Sequence, residues 1–305
     1  MPPRVVETID EMRASIAERR GLGAVGLVPT MGALHAGHAR LMERARTECL
    51  TVVVSIFVNP LQFDRAEDLA RYPRPLEADL ALCGQLGVDM VFAPTPAVMY
   101  PQPPDCTVHV GGTAAHLCGA FRRGHFDGVA TVVLKLLDIV QPDVAYFGEK
   151  DAQQLAIVRR MVADLNVPVT IAGVPTVREA DGLALSSRNR HLSPLERALA
   201  PRLFRALSAV RDAVAAGTTD PAEAGRHAIA IIGSDAPLRL EYLELVDPVT
   251  FQPVERVAGP VVAAGALWVG STRLIDNVLC TPPPPRTHGV GADDTVSSRS
   301  LAKKT

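Results

Sequence analysis

The sequence predicts an α/β protein in which a mainly parallel sheet, covered on both faces by helices, is followed by a smaller α+β domain. Three observations predict it. Short β-branched runs alternate with helical segments up to about residue 186, the pattern of a parallel sheet joined by crossover helices. One of those runs, TVVVSIF at 51–57, is apolar throughout, as a strand buried on both faces must be. Beyond residue 186 the order becomes helices followed by consecutive strands, which marks a separate α+β unit.

Taken in order, residues 7–20 read as an amphipathic helix, 25–28 as a short apolar strand and 37–49 as a helix. After the 51–57 strand, residues 75–86 form a helix with Pro75 in its first turn, followed by a strand at 88–92. FDGVATVVLKLLDIV, 126–140, is an apolar helix; 143–147 is a strand, 152–165 a helix and 167–172 a strand. In the second unit, 194–216 and 222–232 are helical, and 240–246, 261–269 and 272–278 are strands. From Pro282 the chain is rich in Pro, Ser and charge and nearly without apolar residues, the composition of a disordered tail. The expected domains are therefore 1–185, 186–281 and a tail at 282–305.

Composition narrows the function classes. The 305 residues carry 31 basic and 33 acidic side chains, a net charge of −2, which offers no general field for nucleic acid. Residues 1–20 are charged throughout and no apolar run has the length of a membrane span, so neither a secretory signal nor a membrane partner is expected. The cysteines, Cys49, Cys83, Cys106, Cys118 and Cys280, are odd in number and lack CxxC spacing. They fit a reducing cytoplasm better than a disulfide framework or a zinc knuckle. Gly21-Leu22-Gly23-Ala24-Val25-Gly26 matches GxGxxG, but it follows a helix and enters a strand, the reverse of the dinucleotide fingerprint. It reads as a helix stop and turn.

Four segments carry candidate chemistry. The first is Pro29-Thr30-Met31-Gly32-Ala33-Leu34-His35-Ala36-Gly37-His38, just after the 25–28 strand and at a helix start. Ligands of open α/β sheets bind beyond the carboxyl ends of strands, and a helix N-terminus offers unpaired N–H groups to phosphate. Gly32 and Gly37 would let a ligand approach closely. His35 and His38, three apart, share one face and suit neutral hydrogen-bond donors to phosphate; the competing readings are incidental histidines or a metal pair. The second is Tyr146-Phe147-Gly148-Glu149-Lys150-Asp151 at another strand end. The chain's lysines are only Lys135, Lys150, Lys303 and Lys304, which singles out Lys150 as a phosphate cation rather than a solvated side chain. Asp151 reads as the cap of the next helix, and Gln154 projects from the same side as Lys150.

The third segment is Leu185-Ser186-Ser187-Arg188-Asn189 at the domain junction, dense in groups that suit an anion. The fourth is Phe57-Val58-Asn59-Pro60-Leu61-Gln62-Phe63. Its neutral amides can orient a carboxylate without quenching its nucleophilicity, or they are simply exposed in a turn. Arg122-Arg123-Gly124-His125 reads as a basic loop before a helix; Asp79, on the 75–86 helix, is either near a metal–phosphate group or solvated. The polar stretch 64–74 is expected to move over a bound ligand.

Together PTMGALHAGH, FVNPLQF, GHFDGVATVV, YFGEKDAQQL, TVREADGLALSSRN and GSTRLIDN resemble the pantoate–β-alanine ligase family over about residues 4–280. The resemblance implies a Rossmann-like N-terminal domain, a smaller C-terminal lid, a homodimer and a reaction joining pantoate to β-alanine with ATP and magnesium. It implies a first ATP segment from Met31 to His38, with His38 as the catalytic histidine. Gly148 to Asp151 and Leu185 to Arg188 are the second and third, with Val177 on the adenine side. Gln62 and Gln154 would hold pantoate, with Gln62 also near β-alanine, and Asp79 would lie near magnesium. Leu185 replaces the family's usual methionine, a change that keeps volume. Two rivals stand beside this reading: an adenylyltransferase of the same fold and a non-catalytic nucleotide-binding module.

Overall fold

The structure is a computed structural model that describes residues 2–64, 66–233 and 235–284. Most of the expected tail, 285–305, lies outside the described residues.

Six strands form the first sheet: β1 (Arg4–Val6), β2 (Val25–Thr30), β3 (Thr51–Ile56), β4 (Met90–Phe92), β5 (Val144–Gly148) and β6 (Thr170–Val174). Their order is β1-β4-β3-β2-β5-β6 and every pair is parallel. Side chains alternate between faces with period two. Val25, Leu27 and Val53 pack with Met12, Ile16, Val129, Leu136 and Val158 on one side. Val28, Val52 and Val54 pack with Leu41, Met42 and Cys83 on the other. Helices Ile9–Arg19, His125–Val140 and Ala152–Asp164 thus cover one face, and Ala36–Glu48 and Leu76–Gln85 the other.

The chain leaves β2 for β3 on one side and later returns to place β5 on the other. Strand order therefore reverses between β2 and β5, and the crevice beyond their carboxyl ends is where an open α/β sheet binds ligands. The helix His125–Val140 reaches this crevice by close approach: a Cβ on Gly128 would lie 2.3 Å from the Leu61 carbonyl oxygen.

The second sheet is antiparallel, β7 (Leu238–Val246), β8 (Val261–Val269) and β9 (Thr272–Cys280), in that order. One face is covered by helices Arg202–Ala215 and Pro221–Ile232 through Leu203, Leu207, Val210, Ala228 and Ile232. From the other face, Tyr242, Val262 and Ala264 pack against Leu117, Phe126 and Ile157 of the first unit. The architecture is the expected one: a Rossmann-like parallel sheet plus a smaller α+β, lid-like region.

Local differences have local causes. The expected helix at 194–216 is two, Pro194–Leu199 and Arg202–Ala215, because Pro201 has no N–H to continue the ladder. The last strand of the first sheet starts at Thr170 rather than Val167; Val167 and Val169 pack on the core just before the ladder. The GxGxxG segment runs from the turn after the first helix into β2, which begins at Val25. The 64–74 stretch contains a helix, Ala66–Arg71, none of whose residues is buried.

Candidate active site

A cleft of about 230 Å³ opens at the β2/β5 crevice. Of the predicted residues it is lined by Met31, His35, Gly37, His38, Gln62, Gly148, Lys150, Asp151, Gln154, Val177, Leu185, Ser186, Ser187 and Arg188. Gly32, Ala33, Leu34, Ala36, Glu149, Asn59 and Asp79 do not line it.

The histidines are set by backbone bonding. His35 caps the Ala36–Glu48 helix, its Nδ1 accepting the Gly37 N–H at 3.1 Å. His38 Nδ1 accepts the His35 N–H at 3.3 Å, a reciprocal capping box built from two imidazoles. An acceptor Nδ1 in a neutral ring leaves the proton on Nε2, so each ring keeps one donor free. Burial first, then Lys150 and Arg190, lower the His35 pKa to about 4. Burial first, then His35, lower that of His38 to about 3. Both rings are thus neutral near pH 7, and burial outweighs every other cause. Gly37 also makes room for the cap: a Cβ there would lie 2.8 Å from the His35 ring.

These shifts make folding pH-dependent. In the unfolded chain the two histidines titrate near 6.5, so between about pH 4 and 6.5 the unfolded state holds more protons. Stability is fully present above pH 6.5 and falls as the pH drops toward 4, by up to about 1.4 kcal/mol per unit for each histidine. Urea midpoints measured from pH 7 to 4.5 are expected to fall, less steeply in His38→Asn.

Two residues predicted as ligand contacts are bonded within the protein. Asp79, expected near magnesium, is buried, and its carboxylate oxygens accept the Ala33 and Leu34 N–H groups, each at 2.8 Å. Burial raises its pKa while those two bonds oppose the rise. It braces a loop in which Gly32 (φ 78°) and Ala33 (φ 51°) are both left-handed. A Cβ at Gly32 would also meet the Asp79 carboxylate at 2.9 Å. The glycine therefore leaves room for the Asp79 carboxylate. Asp79→Ala orphans two buried donors and is expected to cost roughly 2 kcal/mol or more, read as a lowered Tm. Among the described residues no three His, Cys, Asp or Glu side chains converge as a metal cage.

Asn59, one of the neutral amides expected to orient a carboxylate or to be exposed in a turn, is buried behind the cleft. It donates to Gly128 O at 3.0 Å and to Gln62 Oε1 at 3.2 Å, and accepts from the Tyr100 hydroxyl at 2.9 Å. It orients Gln62, whose Nε2 donates to Met31 Sδ at 3.0 Å. Asp151 occupies the N-cap position of the Ala152–Asp164 helix but makes no capping bond. Its carboxylate stands 3.9 Å from Lys150 Nζ instead.

Arg122 and His125 contribute more than the basic-loop reading suggested. His125 Nδ1 donates to Gln62 O at 2.8 Å, and its Nε2 accepts from Arg122 Nη1 at 3.0 Å. Burial, then Arg122, lower the His125 pKa to about 4, so the ring is neutral. Burial also lowers the Arg122 pKa. Val129, Val132, Val133 and Leu136 of the His125–Val140 helix supply an apolar wall, and Phe63 and Tyr72 stand on the cleft wall. The cleft therefore combines hydrogen-bond donors and cations with an apolar wall and two glutamine amides. That suits a polyphosphate beside a small, partly aliphatic acid.

Comparison with known proteins gives this geometry a family. The profile of Pantoate-beta-alanine ligase matches residues 4–279. The pantothenate synthetase of Pelobacter propionicus is 50% identical over 276 residues, 90% of this chain and 97% of that protein. The bifunctional pantoate ligase/cytidylate kinase of Thermosynechococcus vestitus is 56% identical over 264 residues, 84% of this chain; the match spans only 50% of that longer protein. The crystal structure of pantothenate synthetase from Thermus thermophilus superposes with a TM-score of 0.85 at 50% identity, covering 90% of this chain and 98% of that one. The Francisella tularensis pantoate-beta-alanine ligase, complexed with beta-gamma ATP and beta-alanine, gives 0.76 at 32% identity, covering 91% and 97%. On this evidence the chain belongs to the pantoate–β-alanine ligase family.

Proposed function

We propose that this cleft joins pantoate to β-alanine at the expense of ATP, releasing AMP and pyrophosphate through a pantoyl adenylate. The observation that carries the reading is the meeting, at one topological switch point, of two neutral imidazole donors, Lys150, Arg188 and the Gln62 and Gln154 amides.

A free carboxylate has no adequate leaving group, so it must be activated. A pantoate carboxylate oxygen attacks the α-phosphorus of ATP and the bond to pyrophosphate breaks. The β-alanine amine then attacks the acyl carbon and expels AMP, and the amine's proton leaves to solvent. No covalent enzyme intermediate is required; the protein aligns the reactants and stabilises charge on phosphate oxygens. His35, His38, Lys150 and Arg188 are assigned the phosphates, and Val177 the adenine side. Gln62 and Gln154 are assigned pantoate, whose methyl groups meet the Val129–Leu136 wall. Neutral amides hold the nucleophile without a tight ion pair, which favours this reading over an adenylyltransferase with a phosphorylated acceptor.

Magnesium, when bound, neutralises the departing pyrophosphate. Asp79 is committed to backbone N–H groups, so no side chain of the protein is assigned to the metal. The C-terminal unit is assigned the role of a lid that closes over the mixed anhydride and excludes water. A homodimer and a cytoplasmic setting accompany the family. All five cysteines are free and four are buried, which suits a reducing compartment.

Pyrophosphate exchange tests the reading. Exchange into ATP that requires pantoate, followed by AMP release on adding β-alanine, is expected. Exchange without pantoate, or a stable nucleotide-linked product, would favour the adenylyltransferase.

A further inference from the structure

The last sequence motif, GSTRLIDN, has no place in the cleft chemistry above, yet it lies on β9 and reaches both cationic segments. Asn277 Nδ2 donates to the carbonyl oxygens of Glu149 and Lys150, each at 2.9 Å. Asp276, 5% exposed, holds Arg178 through both carboxylate oxygens, at 2.5 and 3.0 Å. Arg178 returns a bond to Asn277 O at 3.3 Å, and Asp276 Oδ1 accepts the Asn277 N–H at 2.8 Å. Arg178 also bridges to Ala184, so it sits in the turn that carries Val177 and Leu185; the Leu185 N–H donates to Val177 O at 2.9 Å. Two neighbouring residues of the second sheet thus grip the Lys150 loop with one side chain and the stem of the Leu185–Arg188 segment with the other.

The Lys150 loop needs such a grip. Its 3-10 turn, Glu149–Asp151, has no side-chain cap. Among the described residues the Lys150 ammonium has no carboxylate nearer than Asp151 at 3.9 Å. With only this long contact to fix it, the ammonium is positioned by its backbone, and Asn277 holds that backbone at two successive carbonyls.

We infer that Asn277, steadied by the Asp276–Arg178 pair, is a positioning residue that fixes the Lys150 ammonium relative to Arg188 and so links placement of the C-terminal unit to phosphate binding. The inference rests on the proposed role of Lys150 in the cleft. Asn277 touches no substrate; it acts through the Lys150 main chain.

The test uses Asn277→Asp, which keeps shape but replaces the double donor with an acceptor facing two carbonyls, and Asn277→Ala. Pantoate-dependent pyrophosphate exchange is measured for the full chain, with the Tm of each variant. Misplacement of a group on the scale of an ångström costs up to about a hundredfold in rate. Exchange at saturating substrate is expected to fall about 10- to 100-fold in both variants, with the KM for pantoate little changed, because Gln62 stands on other elements and Gln154 lies on the Ala152–Asp164 helix, beyond the two carbonyls that Asn277 holds. In Lys150→Ala the same Asn277 substitutions are expected to cost less than about twofold further, since the group they position is gone. A merely structural role gives losses that multiply in full and a pantoate KM that rises with them; that result overturns the inference. Wild-type exchange in Asn277→Asp, or in Lys150→Ala, overturns it too. Absence of pantoate-dependent exchange in the unaltered protein would instead reject the proposed function.

Discussion

His38→Ala is expected to slow adenylate formation about a hundredfold or more, the cost of removing one preorganised donor, roughly 3 kcal/mol. The expectation follows from where the ring's proton must be. His38 Nδ1 is taken by the His35 N–H, and the pKa near 3 keeps the ring neutral, so Nε2–H is the donor left for a phosphate oxygen. The substitution also removes a capping acceptor, and two further variants separate the effects. Asn at 38 reproduces the Nδ1 acceptor without the distant donor, and Gln places an amide N–H nearer the Nε2 position. His38→Asn is therefore expected to be stable and nearly as slow as alanine, and His38→Gln to recover part of the rate. Single-turnover formation of adenylate, with melting curves alongside, checks this. Near-wild-type turnover in His38→Asn would remove His38 from the phosphate site.

Lys150→Ala is expected to produce a loss of similar size, about a hundredfold in kcat/KM for ATP. The Lys150 side chain is 16% exposed and, among the described residues, its nearest carboxylate is 3.9 Å away, so its charge is only partly compensated and little screened. It also acts on His35, whose pKa it helps to depress. The variant should therefore show an upward drift of the His35 pKa from about 4, visible by NMR titration. Lys150→Arg is not expected to rescue fully, because a planar fork does not replace a compact ammonium. Unchanged kcat/KM for ATP would contradict the assignment.

Much of this was legible in the sequence because the signals are local. The β-branched run at 51–57 and the apolar helix at 126–140 are written in composition and period, and the PTMGALHAGH and YFGEKD segments sit where strands end. What was not legible depends on partners far along the chain. Asp79 and Asn59 looked like ligand contacts because a polar side chain near a motif has no visible partner in sequence; the fold supplies one, 46 residues away for Asp79 and Ala33 and 69 residues away for Asn59 and Gly128. Arg122 and His125 were weak candidates for the same reason, since their bonds run to Gln62 more than 50 residues earlier, at a separation of 63 for His125. β1 is three residues long, too short for any periodicity, and it is a strand only because β4 pairs with it. The helix break before Arg202 was readable from Pro201.

The central claim, that the pantoate carboxylate attacks the α-phosphorus of ATP in this cleft, is tested most directly by isotope transfer. Pantoate carrying 18O in both carboxylate oxygens is incubated with the protein, ATP and β-alanine, and the products are weighed by mass spectrometry. The mechanism predicts one 18O in the phosphate of AMP and one in the new amide carbonyl of pantothenate. Unlabelled AMP, or label appearing in orthophosphate, would contradict it.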